Sequence, residues 1–241
     1  INNKQIAFVG MASATSATSL TTAAAAIASK RVVLVGPGVL DENGAAKSGA
    51  YAAVAVAALV AQNSDIADDL DTAPVPGLTG IEKAADGLPI FRIKVVSGSA
   101  VNDFETLLQG GVSPLRNGRT GGVEITHLRT TYTTDTTYDA LMTRLIVDQL
   151  FIDVRTYCEQ QKFLRRGNTQ KTRDDLAAGV AALLTARNNW LLPITQPDGN
   201  TGYAVSVIAS TDNRQVTVGY QGQVVRGIST ILVDAQLVIP A

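Results

Sequence analysis

The chain is predicted to pair an α/β half with an α+β half. Short β-branched runs alternate with Ala-rich segments up to about residue 61, two long amphipathic segments follow residue 136, and strand-like runs close the chain. A length of 241 residues sits where single cores tend to divide, so two domains are expected, 1–133 and 134–241. Residues 6–9 are apolar and strand-like. The Ser/Thr/Ala stretch 11–22 reads as a loop leading into an Ala-rich helix over 23–29. Residues 32–35 form a β-branched run ended by Gly36-Pro37-Gly38, and 49–61 supply a second small-residue helix that can lie close on a sheet. The βαβα order implies a parallel sheet.

Residues 63–87 change character. Asp65, Asp68, Asp69, Asp71, Glu82 and Asp86 surround Pro74, Pro76, Gly77 and Gly80, with Lys83 the one base, which reads as a solvated acidic loop. Residues 91–96 read as a strand and 102–108 as a short helix capped by Asn102, stopped by Gly110-Gly111 ahead of the apolar run 112–115. In 123–132, Val123, Ile125, His127 and Arg129 alternate with Glu124, Thr126, Leu128 and Thr130, a strand of mixed polarity. Thr136 and Asp139 have capping-box spacing ahead of a helix over 138–161; Thr172 and Asp175 repeat it ahead of 176–187. Leu141/Leu145, Ile146/Leu150 and Val154/Cys158 are i,i+4 pairs, so most of the first helix is expected to be buried. Runs 203–209, 215–220 and 228–239 are expected to complete an antiparallel sheet against these two long helices.

Composition bounds the chemistry. Hydrophobic residues at 46% and charged residues at 17% mark a folded, core-forming chain, and a net charge of -1 provides no global field for nucleic acid or anionic membrane. The longest apolar stretch, 50–61, falls short of the roughly 20 residues of a membrane helix, so no membrane insertion is expected. Cys158 is alone, which excludes a disulfide framework and a thiolate metal site. His127 is the single histidine, and no serine sits in a nucleophile elbow, so a Ser-His-Asp triad is not expected and His127 reads as a satisfied strand residue. The acidic residues lack calcium-loop spacing. Gly10-Met11-Ala12-Ser13 stands between a strand and a helix, where phosphate-cradling turns stand, but the later glycines of the dinucleotide and P-loop fingerprints are absent. The expectation is a structural protein without enzyme activity, cofactor or metal; an α/β nucleotide-binding enzyme domain is the rival. The chain opens on Ile1 directly before a strand-like run and is expected to be part of a longer polypeptide.

Two surfaces stand out. Lys162, Arg165, Arg166, Lys171 and Arg173 form one basic cluster between the long helices, either a solvated turn or a protein-binding patch. Near the end, Ile231, Val233, Ala235, Leu237 and Ile239 alternate with Thr230, Leu232, Asp234, Gln236 and Val238, giving a strand with one apolar face, suited to extending a sheet or pairing with another chain.

The run Pro76-Gly77-Leu78-Thr79-Gly80-Ile81, the stretch Phe104-Glu105-Thr106-Leu107-Leu108-Gln109-Gly110-Gly111-Val112-Ser113-Pro114-Leu115 and the stretch Gly122-Val123-Glu124-Ile125-Thr126-His127-Leu128-Arg129-Thr130-Thr131-Tyr132, followed by a long helix, resemble in their order the contractile tail sheath family of phages. The resemblance implies a sheath subtilisin-like α/β domain, alike in shape only, over 1–133, truncated at its N-terminal side, and a sheath C-terminal domain over 134–241. It implies subunits that stack in hexameric rings or a helix around an inner tail tube and contract to drive the tube through a host envelope during genome ejection. The implied partners are further copies of the chain, the tail tube protein, and the baseplate and tail terminator proteins. The implied location is the virion tail, assembled in the host bacterial cytoplasm; the sheath of a bacterial injection machine, tailocin or type VI secretion-like, is the alternative. The basic cluster is then expected to face the tube, and Thr230 to Ile239 to lie where a neighbour's arm joins.

Overall fold

The computed structural model describes residues 5–224 apart from 64, 67, 69, 97, 98, 120, 135–139, 161, 162, 164, 165, 196–198, 200 and 212–214. A four-stranded sheet organises the first half in the order β1 (Ala7–Gly10), β2 (Val32–Gly36), β8 (Val112–Asn117), β9 (Val123–Ile125). The first three strands run parallel and β9 returns antiparallel along β8. Helices α1 (Ala17–Ile27), α2 (Gly49–Gln62) and α3 (Asp103–Gln109) cover it. Alternation along β2 sets the layers: Val33 and Val35 pack with Ala52, Ala53 and Val56 of α2, whereas Leu34 packs with Leu20 and Ala24 of α1 and Leu107 of α3. Both faces of β2 are therefore dry, and each such side chain contributes about 1.5–3 kcal/mol.

A small sheet of β3 (Val39–Asp41), β4 (Ala46–Lys47) and β5 (Leu78–Ile81) flanks this core, and β6 (Ile93–Val96) and β7 (Ser99–Asn102) form a hairpin ahead of α3. In the second half, helices α4 (Leu141–Cys158) and α5 (Gln170–Thr185) pack together and against the hairpin of β13 (Ala204–Ala209) and β14 (Val216–Gln221). Short pairs, β10 (Leu191–Leu192) with β15 (Gln223–Val224) and β11 (Ile194–Thr195) with β12 (Thr201–Gly202), fill in around it. Ile146, Leu150 and Val154 of α4 and Leu176, Val180 and Leu184 of α5 form its core with Val205, Val207, Val218 and Tyr220. The helices approach so closely that a Cβ on Gly179 would lie 1.7 Å from the Tyr157 hydroxyl.

Several expectations are corrected. Residues 17–22 belong to α1, because the Ser16 hydroxyl accepts the Ser19 N–H and starts the helix early. The acidic stretch contains β5. The strand expected over 123–132 ends at Ile125, after which Thr126 donates to the Pro114 carbonyl and Thr131 N–H reaches the Val32 carbonyl, carrying the chain across the sheet end. Helix α5 starts at Gln170 with Thr169 as its cap, its hydroxyl taking the Thr172 N–H at 3.2 Å; Thr172 thus lies inside the helix. Helix α4 begins at Leu141 after Ala140, and Thr136 and Asp139 lie outside the described residues.

Candidate binding surface between the long helices

Of the basic cluster, Arg166 lies in the turn from α4 to α5, and Lys171 and Arg173 lie near the start of α5. Arg166 pairs with Asp175 at 3.2 Å, both largely exposed, an arrangement of small energetic weight. Lys171 is exposed. Arg173 is half-buried and held by neutral oxygens: the Asn168 carbonyl at 3.2 Å, the Asn168 side-chain oxygen at 2.8 Å and the Gln170 side chain at 2.8 Å. Lys162 and Arg165 lie outside the described residues, as does the whole stretch from Thr230 to Ile239. The first turn of α5 has no acidic residue but contains Lys171, with Arg173 next along, so cations stand at the positive end of the helix dipole. An approaching acidic group relieves that repulsion.

Beside the arginines opens a cleft of about 220 Å³, its apolar wall made by Cys158, Phe163, Leu176, Val216 and Val218. Burial pushes the Cys158 thiol up from its ordinary range, with Glu159 adding to the effect, so it behaves as an apolar lining group. Val216 is 41% exposed and Ile208, on the neighbouring strand, 64%. The cleft and its rim suit a segment combining apolar and acidic side chains.

The other candidate sites resolve differently. At the Gly10 turn, the Ala14 N–H ahead of α1 donates to both oxygens of Glu82, at 2.9 and 2.8 Å, and Glu82 is 8% exposed. The Ala14 amide of this turn is thus occupied by the chain's own carboxylate. His127 lies past the end of β9, its Nδ1 2.6 Å from Asp71. The acidic stretch is not simply solvated: Asp65 accepts from the Trp190 indole N–H at 3.0 Å and from the Asn189 side chain at 3.1 Å. Nothing in the sequence marks those partners, which lie 124 and 125 residues away. Among the described residues no group of three or more His, Cys, Asp or Glu could hold a metal ion, and no helix is long and apolar enough to cross a membrane.

No protein-family model matches the chain, and no curated protein sequence does. Solved structures do. A chain of the anti-feeding prophage baseplate superposes with a TM-score of 0.60 at 14% identity, covering 93% of this chain and 66% of its own length. The sheath of the extracellular contractile injection system PVC, in its contracted state, gives 0.61 at 15% identity over 94% of this chain and 62% of its own. The sheath tail protein of Desulfitobacterium hafniense gives 0.54 at 12% identity over 83% and 47%. The fold is that of contractile sheath proteins. This sheath fold takes in the α/β layers and the α4–α5 half together, while the chain spans 47–66% of the length of those three structures.

Proposed function

We propose that this chain is part of a structural subunit of a contractile sheath, which polymerises around an inner tube and contracts to drive the tube through a target cell envelope. The observation that carries the reading is the sheath fold extending over more than nine tenths of the chain in two of the structures compared. A contractile polymer stores its energy in two packings of rigid subunits and needs no catalytic pocket. The setting is a phage tail, with the sheath in the virion and genome ejection as its task, or alternatively a bacterial injection machine. The partners are copies of the chain, the tube protein, and baseplate and terminator proteins. No enzyme activity is proposed, and the domain division is put near residue 134.

Negative-stain microscopy of the full-length chain is expected to reveal tubes or stacked rings; monomers under all ionic conditions would overturn the reading. Deleting the residues after Asp234 is expected to leave a folded monomer that no longer forms tubes, because the alternating stretch from Thr230 to Ile239 is proposed to pair with a neighbour. Tubes from the deletion variant would remove that role.

The basic cluster is proposed to dock on an acidic face of the tube, with Arg166, Lys171 and Arg173 as its described members and the two arginines lining the cleft. The variant R166E/R173E is expected to lower co-sedimentation with tube protein several-fold, with the remaining binding less sensitive to salt than that of the unaltered chain. Undiminished co-sedimentation would return the cluster to a solvated turn.

A further inference from the structure

Among the described residues, an apolar core of the α/β half and one of the α4–α5 half meet along a joint. Val33, Val35, Leu115 and Ile125 belong to the first, and Leu150, Val154, Val180 and Leu184 to the second. Among the described residues, two segments link them through apolar side chains. Leu141 and Leu145 of α4 pack on the first core while Ile146 begins the second, and Ile66 packs on the second core while Leu70 packs on the first.

Around these links the joint is polar. Arg31, at the entry to β2, donates two hydrogen bonds to Asp148 of α4, at 2.8 and 3.0 Å, and Asp148 also accepts from Arg144. Asp148 is 7% exposed, so water screens this pair poorly. On the other connection, Asp65 holds Trp190 and Asn189 just beyond α5. The Trp190 ring is in turn stacked under Arg187, whose guanidinium binds Asp153 of α4. Asp65 therefore grips a side chain already fixed to the second core.

We propose that Asp148–Arg31 and Asp65–Trp190 are two polar latches that hold the α4–α5 half against the α/β half, and that releasing both lets the second half open as a unit of its own. Joints between domains of one chain are small and polar compared with cores, and cooperative opening units follow such joints. The latches lie on separate connections, so either alone keeps the halves in register. This holds whether or not the chain polymerises.

The test is hydrogen exchange read by mass spectrometry on the Asp65-side variant N189A/W190F, which removes both donors to Asp65, on R31L, and on the double variant that joins the two. Phe keeps an aromatic ring for Arg187 to stack on, although it is smaller than the indole, and removes the N–H; Leu at 31 leaves Asp148 paired with Arg144. The double variant is expected to exchange about tenfold faster or more across 170–185 and 204–221, with β1, β2 and β8 unchanged and each single variant close to the unaltered chain. Equal acceleration in both halves, or none, would overturn the proposal. If the double variant fails to fold, the unaltered chain decides: in sub-denaturing urea residues 170–221 are expected to open together below the urea concentration that opens β2. Simultaneous opening of both halves would overturn it.

Discussion

Replacing Gly10 by alanine is expected to cost about 3 kcal/mol or more, read as a lower urea midpoint at unchanged m-value. A Cβ at this position would stand 2.0 Å from the Gly49 carbonyl oxygen, 2.1 Å from its carbon and 2.5 Å from the Ala50 nitrogen. All three are backbone atoms, so no side-chain rotation relieves the clash. Either β1 or the start of α2 must move, and α2 carries Ala52, Ala53 and Val56 off the face of β2 as it goes. Gly167→Ala is the control, because among the described residues its Cβ would meet only the Thr169 methyl at 3.9 Å; it is expected to change stability by less than about 0.5 kcal/mol. An unshifted midpoint for Gly10→Ala would mean that strand and helix are not packed this tightly. Gly10 is thus needed for close approach of β1 to α2.

Asp148→Ala is expected to lose about 3 kcal/mol, because it removes the carboxylate that two half-buried arginines share rather than deleting one contact. Arg31 is 29% exposed and Arg144 17%, so Arg31 recovers more of its hydration than Arg144 does. Asp148→Asn keeps an acceptor and is expected to lose less, and Arg31→Leu less again, since Arg144 stays on the carboxylate. Urea denaturation of the three variants checks the order. Equal losses would show that the carboxylate's charge is not what the arginines require.

The parts of the fold legible in sequence were those whose signal is local. The β-branched run 32–35 and the uncharged small-residue run 49–61 needed only alternation and composition to be read as β2 and α2. The start of α1 is not legible in sequence because Ser, Thr and Ala favour loops and helices alike, and the deciding feature is one hydroxyl, Ser16 on Ser19. Strand β9 was drawn too long because alternation persists through Thr130, yet the chain leaves the sheet once Thr126 bonds to Pro114. The acidic stretch was read as solvated for a deeper reason. Whether Asp65 faces water or Trp190 depends on a tertiary contact spanning 125 residues, to which local charge patterning is blind. At the candidate surface the cluster was visible as charge, but the neutral cradle of Arg173 and the cleft wall from Val216 and Val218 arise only when α5 and β14 meet.

The Glu82 carboxylate at the turn before α1 has a consequence for any experiment that soaks this protein with phosphate or nucleotide. Because Glu82 is attached to the same chain, it competes for the Ala14 amide as an intramolecular ligand, and well-placed tethered groups act at effective concentrations far above those reached by free ligands. A dissolved phosphate at millimolar concentration is outnumbered in that sense before it arrives. Displacing the carboxylate would also leave a buried negative charge facing the incoming one across the space beside Gly38, where a Cβ would already lie 2.5 Å from a Glu82 oxygen. Glu82 is thus a bound competitor, and Glu82→Ala, which removes the tethered acceptor altogether, is the form of the chain in which the turn would first meet a free anion unopposed.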